Sequence, residues 1–159
     1  MPEKILVSAC LYGGERVRYD AGDVTCAEAR FAAWRDEGRL VPICPETAGG
    51  LPVPRPRARY VAGRVMADDG SEVGRDVTAE YERGAAAALA LAKEHGVRIA
   101  ILKQNSPSCG SRFIFSSDFK RRIPGQGLTA SLLRRNGVSV FGEDEIDAAA
   151  AWLKAHEKR

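Results

Sequence analysis

The chain has 159 residues, 45% of them hydrophobic and 28% charged, the proportions of an ordinary soluble globular protein rather than a disordered or fibrous one. Lys and Arg exceed Asp and Glu by only 24 to 21, too slight an excess to imply a nucleic-acid partner by itself. The length suits a single domain over residues 1–159 with a core of its own. The short, quickly interrupted apolar run after Met1-Pro2-Glu3-Lys4 argues against a signal peptide or membrane span, so a cytoplasmic protein is expected. Its four cysteines should then be reduced thiols, suited to metal binding or catalysis rather than a disulfide framework.

In chain order, a first strand over Lys4–Ala9 runs into Cys10 and a turn-rich, glycine-containing segment through Asp20. Residues 26–37 are spaced as a crossover helix stopped by Gly38. A second strand, Leu40–Ile43, ends at Cys44. Beyond it, Pro45-Glu46 and the stretch from Gly49 to Arg57 hold too much Pro and Gly for a helix or central strand, and read as an ordered loop over the sheet edge. Tyr60–Val73, with Asp68-Asp69-Gly70-Ser71 at its middle, reads as a short hairpin or a pair of edge strands.

Asp76 is placed to cap a long alanine-rich helix over Val77–His95, ended by Gly96. A third strand, Arg98–Leu102, leads without an intervening helix into Asn105-Ser106-Pro107-Ser108-Cys109-Gly110. Phe113–Phe115 is a further short strand. Lys120–Gly127 reads as a basic loop, followed by a helix over Thr129–Asn136, a strand over Val138–Phe141 and a last helix over Asp144–Lys158. Strands alternating with helices predict an α/β fold: a three-layer sandwich with a mainly parallel sheet.

Cys10, Cys44 and Cys109 all follow apolar strands directly. In open α/β sheets the crevice beyond the carboxyl ends of the strands is where ligands bind, so the three thiols can converge there. Three thiolates suit a soft metal or an iron–sulfur cluster. No Cys-x-x-Cys element is present, so ordinary buried cysteines or one reactive thiol remain alternatives. His95 and His156 fall at predicted helix ends, which disfavours a Cys-His catalytic pair. Cys26, on a predicted helix, reads as a packing residue.

Five motifs occur in order: Ser8-Ala9-Cys10-Leu11 with Arg18-Tyr19-Asp20; Pro42-Ile43-Cys44-Pro45-Glu46 with Gly49–Arg55; Asp76-Val77-Thr78; Ile101-Leu102-Lys103 with Ser106–Gly110; and Gly125–Ala130. Together they resemble a bacterial family whose characterised members are thiouracil desulfidases. The resemblance covers roughly 4–141. It implies a Rossmann-like α/β domain, a [4Fe-4S] cluster held by only three cysteines, here Cys10, Cys44 and Cys109, and removal of sulfur from thiolated uracil or its nucleotide.

Such a ligand set leaves one iron open to a soft thiocarbonyl sulfur and makes its carbon a better electrophile for water. A proton-handling group is then needed. Glu46 is the nearest carboxylate in sequence to a proposed ligand; from the residues alone it could equally be a solvated loop acid, and the resemblance favours the proton-handling role. Ser106, on the resemblance, is the second catalytic candidate, and Ser108 a substrate-binding one.

Arg16, Arg18, Arg55, Lys103 and the Lys120-Arg121-Arg122 run are candidates for anionic groups of a nucleotide substrate, because cations and guanidinium forks match phosphate oxygens, although a charge run is more often a solvated face. The Gly125-Gln126-Gly127 segment could present N–H groups to an anion. The expected partner is thus a small molecule, with no membrane and no long nucleic acid, in a monomer or homodimer. The competing readings are a zinc-stabilised or nucleotide-binding non-catalytic module, and a persulfide carrier using Cys109 alone.

Overall fold

The structure, a computed structural model, describes residues 3–12, 28–51, 58–61, 64–67, 75–103, 109–110, 113–115 and 122–157. Its elements in order are β1 (Ile5–Ser8), α1 (Ala9–Tyr12), α2 (Ala29–Asp36), β2 (Leu40–Ile43), α3 (Pro45–Ala48), β3 (Ala58–Val61), β4 (Arg64–Ala67) and β5 (Arg75–Asp76). There follow α4 (Thr78–Glu94), β6 (Ile99–Leu102), β7 (Phe113–Phe115), β8 (Arg122–Pro124), α5 (Leu128–Arg135), β9 (Ser139–Gly142) and α6 (Ile146–His156).

The main sheet has four strands in the order β2-β1-β6-β9, all parallel. Its two inner strands, Ile5–Ser8 and Ile99–Leu102, are buried at every position, as parallel strands covered on both faces must be. Alternation along them divides two cores. Ile5, Val7, Ile99 and Ile101 pack with Phe31 and Trp34 of α2 and Ile146, Ala149 and Leu153 of α6. Leu6, Ala100 and Leu102 pack with Ala88 and Ala92 of α4 and Ala130 and Leu133 of α5. The result is the expected three-layer α/β sandwich. Pro42, which lacks an N–H, is tolerated because β2 lies at an edge of the sheet.

Two accessory sheets differ from expectation. The hairpin or pair of edge strands read over 60–73 is part of a three-stranded antiparallel sheet β3-β4-β5, whose first strand starts at Ala58. Arg122–Pro124, read as part of a basic loop, pairs antiparallel with Phe113–Phe115, a pairing that local composition does not encode. Residues 45–48, read as loop, form a helical turn with Pro45 in its first turn, where a missing N–H costs nothing. The helix stops were placed correctly at Gly38 and Gly96, whose φ of 73° and 64° favour a residue without Cβ.

Helix α4 begins at Thr78, one residue later than expected. Asp76 still serves its first turn, accepting the Thr78 N–H at 2.9 Å and Arg64 Nε at 2.9 Å. The hydroxyl and N–H of Thr78, then Arg64, lower the Asp76 pKa to about 2. Because the folded pKa lies below the unfolded one, Asp76 contributes stability above about pH 4 that is lost as pH falls towards 2. Asp76→Ala is therefore expected to lower the melting temperature at neutral pH. Thermal scans at descending pH should show the gap to wild type shrinking between pH 4 and pH 2.

Candidate active site

The sheet register sets the level of the site. Ser8 pairs with Ile43 and Val7 with Ile101, so β1, β2 and β6 end side by side. Cys10 follows in α1, which begins directly after β1 rather than in a loop as expected. Cys44 follows β2 and starts α3. Cys109 lies beyond the exit of β6. The buried hydroxyl of Ser8 fastens this edge, accepting the Lys103 N–H at 2.9 Å and hydrogen-bonding the Cys109 side chain.

Cys10 and Cys109 are buried, Cys44 is half-buried, and none of the three is in a disulfide. Cys10 packs with the core on one face of the sheet and Cys109 with the core on the other. They are nevertheless close enough to act on each other. Burial pushes the Cys109 thiol far above its usual range, the Ser8 hydrogen bond opposes this, and negative charge on Cys10, Glu46 and Cys44 pushes it further up. A buried Cys109 raised in this way is held as the thiol unless a cation compensates its charge. Iron bound beside it would supply that charge and keep the sulfur deprotonated as a ligand.

Among the described residues, no three His, Cys, Asp or Glu side chains are gathered as a single metal ion requires. In a cubane each thiolate holds a different iron, whereas one zinc draws every sulfur to about 2.3 Å from a common point. An all-sulfur donor set is of the kind that holds an iron–sulfur cluster.

Glu46 lies in α3, two residues past Cys44, and accepts a hydrogen bond from the Tyr81 hydroxyl of α4. The two helices meet backbone to backbone. A Cβ on Gly49 would stand 1.9 Å from the Glu80 carbonyl oxygen, and one on Gly84 1.9 Å from that of Pro45. Arg83 adds hydrogen bonds to the Gly49 carbonyl at 3.1 and 3.2 Å.

Lys103, expected to meet an anionic substrate group, is in an ion pair with Glu143 at 2.9 Å. The Gly127 N–H, a candidate anion donor, instead bonds the Gly110 carbonyl at 2.8 Å and so ties the start of α5 to the residue after Cys109. Arg16, Arg18, Cys26, Arg55, Ser106, Ser108, Lys120 and Arg121 lie outside the described residues. His95 and His156 are exposed at the ends of α4 and α6, as expected.

Sequence reasoning missed Ser8, Tyr81 and the Gly49/Gly84 contact. Ser8 stood in the first cysteine motif without a role. Tyr81 sat on the periodic apolar face of α4, where an aromatic reads as core.

Fold and site together define an α/β protein with a three-thiol centre at the carboxyl edge of a parallel sheet. A family model, 2-thiouracil desulfurase, matches residues 5–145, and the chain belongs to that family. It is 41% identical over 150 residues to the uncharacterized protein YbbK of Bacillus subtilis (strain 168), covering 90% of this chain and 97% of that one. Among solved structures it is similar to the [4Fe-4S]-dependent thiouracil desulfidase TudS, with 45% identity and a TM-score of 0.89 over 96% of this chain and 99% of the other. Among the described residues no helix is long and apolar enough to cross a membrane.

Proposed function

We propose that this chain is a [4Fe-4S]-dependent desulfidase that hydrolyses thiolated uracil, free or as its nucleotide, to uracil and sulfide. Cys10, Cys44 and Cys109 hold the cluster. The observation that carries this is the meeting of three strand-end thiols with one carboxylate, in a chain of this family. When bound, a cluster with three protein ligands supplies a Lewis-acidic iron for a soft thiocarbonyl sulfur.

The remaining roles belong to the chain. Glu46 takes the proton of the water that attacks the thiocarbonyl carbon. Ser106 passes a proton at the reacting centre, and Ser108 orients the base. Arg16, Arg18 and Arg55 receive the anionic groups of a nucleotide substrate, with Lys103 nearby in its pair with Glu143. The net change is one water consumed, C=S replaced by C=O and hydrogen sulfide released, so no external electron donor is required. The setting we propose is the reducing cytoplasm.

Anaerobic reconstitution followed by assay of uracil and sulfide from thiouracil and a thiouridine nucleotide is the test. Glu46→Gln is expected to lower kcat by about 10²- to 10⁴-fold, the range for a general acid–base group, with iron and sulfide content unchanged. Wild-type turnover in that variant removes Glu46 from the mechanism; a colourless, zinc-loaded, inactive wild type overturns the function.

A further inference from the structure

We infer that Tyr81 is a positioning residue for this reaction, holding the Glu46 carboxylate over the cysteine site; the inference rests on the role proposed for Glu46. Tyr81 is 1% exposed, and its hydroxyl donates to Glu46 Oε2. A buried phenol needs a polar partner, and here a partner is the carboxylate assigned to move the proton.

Two features make this bond a rigid device. The Tyr81 ring is seated among Leu51, Ala58, Val65, Ala67 and Val77, so the small β3-β4-β5 sheet forms a platform behind it. Tyr81 and Gly84, three apart on one face of α4, meet α3 at adjacent residues: Gly84 abuts the Pro45 carbonyl and Tyr81 reaches Glu46. Backbone contact fixes the distance between the helices, and the phenol fixes the direction of a side chain that otherwise has several rotamers. The accessory sheet thus bears on the site although none of its strands carries a proposed ligand.

The test is a double-mutant cycle on the reconstituted enzyme with Tyr81→Phe and Glu46→Ala. Tyr81→Phe keeps the ring and its packing. We expect it to lower kcat by about 10- to 100-fold, as loss of an orienting partner does, with KM, iron content and the visible spectrum unchanged. In the Glu46→Ala background the same substitution should cost no further activity.

A second readout is independent of turnover. Urea unfolding of the cluster-free proteins should show Tyr81→Phe lowering the midpoint more in wild type than in Glu46→Ala. An unchanged kcat in Tyr81→Phe, or an equal loss in both backgrounds, overturns the inference. A wild type that binds iron yet releases no sulfide defeats the proposed function instead, while the unfolding cycle still decides whether Tyr81 holds Glu46.

Discussion

Cys109→Ala is expected to yield a folded, colourless protein without sulfide release after anaerobic reconstitution. Cys109 is 5% exposed and packed in the core shared by α4 and α5, so its loss has a structural cost as well as a chemical one. Truncating a small buried hydrophobe costs about 1 kcal/mol, which for a chain of this size lowers the melting temperature by about 2–4 °C. The chemical loss is total: with two thiolates the cluster has no stable seat, and turnover should fall to background. Iron and sulfide analysis, visible absorption and a sulfide assay on one preparation check it. Wild-type-like turnover in this variant overturns the three-cysteine site.

Gly84→Ala should destabilise the protein and damage its chemistry together. In an exposed helix interior, Ala would be favoured over Gly by about 1 kcal/mol. Here the new Cβ would lie 1.9 Å from the Pro45 carbonyl oxygen and 2.6 Å from its carbon. Neither atom belongs to a side chain that can swing aside, so α3 and α4 must separate. Overpacking of this kind costs about 1–3 kcal/mol or more, so the clash outweighs the propensity gain. A net loss of about 1–2 kcal/mol corresponds to a melting temperature lower by about 2–8 °C.

Because α3 carries Glu46, kcat should fall as well. Ala86→Gly, at an exposed position on the same helix, supplies the comparison, with about 1 kcal/mol lost and kcat retained. A Gly84→Ala enzyme as stable and active as wild type would show that the helices do not meet this closely.

What could be read from the sequence follows how locally each feature is encoded. Ile5–Val7 and Ile99–Leu102 are apolar on both faces, so they announced buried strands and with them the common edge of Cys10, Cys44 and Cys109. The alanine repeat of α4 announced a helix lying close on the sheet. Helix α3 was hidden because Pro45 and Gly49 look like breakers; Pro45 opens the turn, and Gly49 closes it where α4 passes against the backbone. Arg122–Pro124 became a strand only through pairing with Phe113–Phe115.

The charged residues were hardest to place. A partner of Lys103 is Glu143, just past β9, and one of Tyr81 is Glu46, 35 residues earlier. No local pattern records either.

The strand order also dictates when the centre can be loaded with metal. Cys10 and Cys44 are brought together by the first crossover, through α2, but Cys109 follows only once β6 has paired with β1. Such non-local parallel pairing is slow to form. With the ligand set proposed above, a growing chain whose β6 is still unpaired therefore offers two of the three sulfurs, and cluster insertion is expected only after that pairing.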